Sequence, residues 1–167
     1  AGKAPWAERS GRSVRGFISA IDNSVQPYGL VVPAEYDPAK SIRLDVVLHG
    51  STNATGIGEL LFLMGHDAAD NDAGAAPSSP FIEVHPMGRL GENAYRFEGE
   101  TDVEEAIEGV CRNYNIDRSR VVLRGSSLGG VGAWQIGLKR PDRFVAIGPA
   151  AGPVDTYEFA NSPWKHF

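Results

Sequence analysis

"VVLRGSSLGGVGAW", residues 121–134, runs an apolar β-forming segment into a glycine turn and out into a helix. The turn holds Gly125-Ser126-Ser127-Leu128-Gly129, a G-x-S-x-G whose register makes Ser127 the centre and Ser126 a spacer. A strand that turns at once into a helix brings two backbones together around the turn residue. Small residues two before and two after it relieve the crowding, and glycine does so best. The residue at the bend is strained, and its hydroxyl stands above the C-terminal edge of the sheet. The helix starting there aims its free N–H groups and positive end at the same place. Those groups favour a negative oxygen developing in a transition state.

The pattern alone is weak, since glycine and serine frequencies give about 0.16 chance matches in a chain of this composition. Context sharpens it. An apolar strand stands directly before the turn, and a helix with Ala133, Trp134 and Leu138 follows. A phosphate-binding turn would read G-x-x-x-x-G-K-[ST] or G-x-G-x-x-G, and neither is present. A second signal lies upstream in "VVLHGS" (46–51), where a buried strand ends at His49-Gly50. A glycine there lets the backbone turn an N–H inward. The expected oxyanion donors are the main-chain N–H groups of Ser51 and Leu128. His49 is expected to brace the loop rather than to act as the base.

Strands and helices alternate around these two segments. "SVRGFISAID" (13–22) and "SVQPYGLVVP" (24–33) read as strands joined at Asp22-Asn23, with Pro27 holding the second to an edge or a bulge. Strands are also expected at 43–50, 81–86, 120–125 and 143–150, and helices at 56–68 and 128–140. Residues 67–80 and 87–100 read as loops. Thr101 and Glu104 make a capping box for a helix whose Val103, Ala106, Ile107, Val110 and Tyr114 share one face and which stops near Asn115. Alternation of this kind favours a mostly parallel α/β sheet covered on both faces.

Bulk properties narrow the function. The chain has 167 residues, 42% of them hydrophobic, which suits one domain with a sizeable core. A net charge of −5 with scattered basic residues disfavours nucleic acid and anionic membrane surfaces. The lone Cys111 excludes an internal disulfide and a cysteine metal site. No apolar run approaches the roughly 18 residues of a spanning helix. A start at Ala1, without Met, fits a processed protein or a piece of a longer one.

Residues 102–152 resemble the nucleophile-elbow region of the α/β-hydrolase superfamily. The markers are "YNIDRSRV", "GSSLGGVGAW" and "RPDRFVAIGPAAG", with "VVLHGS" in support. The resemblance is to the branch joining prolyl-oligopeptidase-like peptidases with carboxylesterases of the feruloyl-esterase and polyhydroxybutyrate-depolymerase type. It covers about residues 25–155. It implies acyl transfer through an acyl-enzyme on Ser127, a small-molecule ester or peptide substrate, and no metal or cofactor. It leans toward a secreted or periplasmic protein, with the compartment otherwise open. Residues 12–167 are then the N-terminal part of a hydrolase domain behind a tail (1–11). The sheet's last strands would lie elsewhere, on the C-terminal remainder of the domain.

A serine needs a base oriented by an acid, and the family order is Ser, then Asp or Glu, then His. Asp155 and His166 have that order. Asp155 follows Ser127 by about one βα unit, but His166 comes too soon for the further strands that usually precede the family's histidine. The expectation is therefore that acid and base lie beyond this chain, with a non-catalytic hydrolase-like binding module or inactive fragment as the alternative. Arg89, Tyr95 and Arg96 leave strand 81–86 at the site's edge and are candidates to touch substrate. Asp67, Asp70 and Asp72 around His66 lack ligand spacing, so no metal is expected. His85, Cys111 and Trp134 read as structural.

Overall fold

The computed structural model describes residues 9–51, 78–90 and 93–154. Its strands are β1 (Gly11–Ile18), β2 (Val25–Val32), β3 (Ile42–Leu48), β4 (Phe81–Pro86), β5 (Ile116–Ser126) and β6 (Ala146–Ala150). Two α-helices, α1 (Glu98–Asn113) and α2 (Leu128–Lys139), follow β4 and β5, and a 3₁₀ turn occupies Gly88–Leu90. The six strands form one mixed sheet in the order β1-β2-β4-β3-β5-β6. β2 is antiparallel to both its neighbours; β4, β3, β5 and β6 run parallel.

Alternation along the strands sorts residues by face. Leu44, Val46 and Leu48 of β3, Ile82 and Val84 of β4, and Val121 and Leu123 of β5 are buried in one core. Val103, Ala106, Ile107 and Val110 of α1 and Ala133 and Ile136 of α2 close that core from the same side. The opposite face carries charge. Asp45 Oδ1 accepts from Arg43 Nε (2.8 Å) and its Oδ2 from Arg124 Nε (3.1 Å). Arg124 Nη2 also donates to Glu83 (2.6 Å), which meets His85 Nε2 at 3.0 Å. Both described helices thus cover one face only. The helix expected at 56–68 lies outside the described residues. No helix among the described residues is long and apolar enough to cross a membrane.

Several boundaries differ from expectation for packing reasons. β2 is an internal strand, yet Pro27 pairs only with Gly16 of β1, because the β4 pairing begins at Tyr28. Its missing N–H therefore breaks no ladder on the second side. α1 begins at Glu98, so Thr101 lies inside its first turns and its N–H reaches Phe97 O (3.2 Å) instead of capping. Gly99, in that added first turn, is buried against Asn93 and the Gly88 carbonyl. Glu104 pairs with Arg143 (3.2 Å) rather than with a cap. β5 extends back to Ile116 across a register shift opposite Ile42–Leu44. β6 starts at Ala146, not 143, and as the edge strand of the described sheet alternates exposed and half-buried residues. Leu138 is exposed and Trp134 half-buried, so α2 contributes to the core mainly through its small residues.

Candidate active site

Register brings the two sequence signals together. β3 and β5 are adjacent and parallel with Leu48 opposite Gly125. Two residues further along, Gly50 stands against Ser127. A Cβ on Gly50 would lie 3.4 Å from Ser127 Cβ and 3.9 Å from its Oγ. Ser127 has φ 56° and ψ −122°, a conformation that costs a non-glycine residue about 1–3 kcal/mol. Its surroundings over-determine that bend. Its N–H donates to Ala150 O of β6 (2.9 Å), and its carbonyl accepts from Val131 N of α2 (3.1 Å).

The elbow glycines are needed for close approach. A Cβ on Gly125 would run into the Gly129 backbone, and one on Gly129 would meet the Leu48 carbonyl and, at 2.7 Å, that of His49. α2 therefore starts hard against the end of β3. Leu128, its first residue, has an N–H with no intrahelical acceptor. The hydroxyl of Ser127 and the backbone of Gly50, Ser51 and Leu128 thus share one edge of the sheet. Gly130 and Gly152 make similar approaches between the start of α2 and the end of β6. Sequence reading missed both; the second glycine of "LGG" and the one in "AAGP" were the available signals. Beside Ser126 a cavity of about 260 Å³ opens between Val47, Arg124 and Gly148.

The other candidates are placed elsewhere. His49 braces its loop: Nε2 lies 2.9 Å from Met87 O and Nδ1 2.7 Å from Gly50 O. His85 is engaged by Glu83 on the charged face. Arg89 turns to the β1–β2 connection, donating to Asp22 (2.8 Å) and Ser19 (3.1 Å). That connection is three strand spacings from β5, on the order of 14 Å. Tyr95 is fully buried and donates to His49 O (2.9 Å). Arg96 Nε donates to Gln135 of α2 (3.0 Å). Of the three loop residues expected to touch substrate, Arg89 is thus paired with Asp22 and Ser19, and Tyr95 is buried against His49. Cys111 packs half-buried against the core, and burial pushes its thiol up. Asp155, His166, His66, Asp67, Asp70 and Asp72 lie outside the described residues. Among the described residues no cluster of His, Cys, Asp or Glu could hold a metal.

Asp102 gave no sequence signal. It is fully buried on α1, where Oδ2 accepts from Gly88 N (2.8 Å) and Oδ1 has no hydrogen-bond donor among the described residues. Burial raises its carboxyl to about 6, against the opposing pull of the Gly88 N–H and Arg89. Between the unfolded value near 4 and about 6 the folded state keeps a proton that the unfolded chain has lost. The contribution of Asp102 therefore favours folding at low pH and is lost as pH rises through about 6, by on the order of 3 kcal/mol. Asp102→Asn keeps an acceptor for Gly88 and removes the charge. We expect the variant to melt above the wild type at pH 7–8, and the gap to close below pH 4, in thermal unfolding followed across that range. A gap independent of pH would contradict the buried charge.

Residues 83–166, just over half of the chain, match the family model named Esterase. The bifunctional acetylxylan esterase/xylanase XynS20E of Neocallimastix patriciarum is 32% identical over 81 residues, which are 47% of this chain and 12% of that protein. The solved ferulic acid esterase AmCE1/Fae1A of Anaeromyces mucronatus superposes with a TM-score of 0.61 at 20% identity, over 90% of this chain and 62% of that one. A prolyl endopeptidase superposes with a TM-score of 0.58 at 18% identity, over 88% of this chain and 22% of that one. This chain thus spans less than two thirds of each of these relatives. The structural likenesses establish an α/β-hydrolase fold.

Proposed function

We propose, on the premise that this chain belongs to the esterase family, that it forms the nucleophile and oxyanion half of a serine esterase acting on a small-molecule ester. Ser127 Oγ attacks the ester carbonyl carbon. The carbonyl π-electrons move to oxygen, and the N–H groups of Ser51 and Leu128 hold the resulting oxyanion. A histidine takes the serine proton and returns it to the departing alcohol as the C–O bond breaks. Water then attacks the acyl-serine by the same route, releasing the acid and the free hydroxyl. The geometry of Ser127, strained and facing Gly50 across the β3–β5 edge, is the observation that carries this reading.

The described histidines do not supply the base, since His49 and His85 are held by main-chain carbonyls and Glu83. The acid and base follow Ser127 in chain order. Asp155 and His166 are those this chain offers, and a more C-terminal segment of the domain is the other source. An ester is preferred over a peptide because the family match is to esterases; a substrate binding without turnover is the outcome that would retire the proposal.

The test, made on protein that includes the segment supplying the acid and base, is covalent labelling with a fluorophosphonate, located by peptide mass spectrometry, alongside release of p-nitrophenol from short acyl esters. Label on Ser127 together with ester turnover supports the reading. A protein that stays unlabelled and inert toward esters overturns it.

A further inference from the structure

Tyr95 sits in a slot that three separate elements build for it. Its ring is fully buried, and Ala94 and Tyr95 hold left-handed backbone (φ 54° and 58°) to place it there. One wall is Gly88 of the 3₁₀ turn, where any Cβ would overlap the ring. The other wall is Gly132 of α2, where a Cβ would lie 2.6 Å from Tyr95 Cδ2 and 3.0 Å from Leu48 Cδ1. The ring meets the His49 imidazole edge-on, with centroids 5.7 Å apart at 66°. The hydroxyl reaches past that ring to the His49 carbonyl at 2.9 Å. The imidazole of His49 is in turn held between Met87 O and Gly50 O.

Two strained residues and two wall glycines are a large commitment for one buried hydrogen bond. They make sense through what that bond controls. The His49 carbonyl immediately precedes the Gly50–Ser51 peptide, and Gly50 is the residue that faces Ser127. α2, which carries Ser127 at its start, rests on the other side of the same ring at Gly132. Tyr95 therefore spans the nucleophile's helix and the loop after β3.

We propose that Tyr95 is a positioning residue for ester hydrolysis: by pinning the His49 carbonyl while its ring spaces α2 from β3, it sets the distance between Ser127 and the Ser51 N–H. This rests on the reading of Ser127 as nucleophile. The pinned peptide matters only when an oxyanion forms, so its effect falls on the transition state and not on substrate binding.

The experiment is Tyr95→Phe, which keeps the ring and removes only the hydroxyl, assayed with p-nitrophenyl esters and with a fluorophosphonate. The expected result is about a tenfold lower kcat with KM changed less than about twofold, and a matching slower labelling of Ser127. Gly132→Ala displaces the ring, and its hydroxyl with it, while keeping the tyrosine, and is expected to give the same kcat-only loss, which keeps the test decisive if Tyr95→Phe folds poorly. A folded Tyr95→Phe with wild-type kcat and labelling rate overturns the positioning role while leaving Ser127 as nucleophile. A wild type that is not labelled at Ser127 overturns both. A raised KM at unchanged kcat would instead make Tyr95 a substrate contact and also defeat the proposal.

Discussion

Replacing Ser127 by alanine is expected to lower kcat for ester hydrolysis by about 10⁴-fold or more, to the background set by the oxyanion donors and binding alone. The loss should fall on kcat, with the fluorophosphonate adduct absent. Ser127→Gly is expected to be equally inactive but more stable than the wild type by about 1 kcal/mol. Glycine tolerates φ 56° and ψ −122°, and the serine does not. Urea unfolding of wild type, Ser127→Ala and Ser127→Gly measures this directly. Stability that is equal in all three would mean the bend stores no strain. Hydrolysis persisting in Ser127→Ala would remove the nucleophile from the proposed mechanism.

The second large effect is expected at Gly129. A side chain there meets main-chain carbonyls of Leu48 and His49, which cannot rotate away as a side chain could. Gly129→Val must push the start of α2 off the end of β3. The expected cost is about 3 kcal/mol of stability, with esterase activity lost because Ser127 retreats from Gly50. Gly148→Ala is the control, since its Cβ would meet only Arg124 Cβ at 3.3 Å among side chains; a cost below about 1 kcal/mol is expected there. Denaturant midpoints for the two variants separate the cases, and a Gly129→Val as stable and active as the wild type would refute the close contact between β3 and α2.

The parts of the site legible beforehand were the local ones. Strand, glycine turn and helix are contiguous at 121–139, and the His49-Gly50 turn ends its own strand, so each is written in a single stretch of sequence. Their meeting followed once β3 and β5 were adjacent and in register. The helix start at Glu98 was not legible from Thr101 and Glu104. The capping signal is worth about 1 kcal/mol, and in the fold Gly99 is packed inside the first turn against Asn93 and the Gly88 carbonyl. Their place after β4 puts Arg89, Tyr95 and Arg96 at the site's edge in the sequence. Which way a loop residue turns depends on partners far along the chain, here Asp22 for Arg89 and His49 for Tyr95.

The amino-acid sequence by itself determined the α/β class, the strand–helix order and the identity of the bend residue. These rest on hydrophobic period and on glycines that the backbone demands locally. Tertiary structure alone decided that Tyr95 is buried beneath the His49-Gly50 turn, that Asp102 is a desolvated acid, and that charges line the sheet face away from α1 and α2. Each depends on contacts between residues distant in the chain, and desolvation and hydrogen bonding are set by those neighbours, not by residue type.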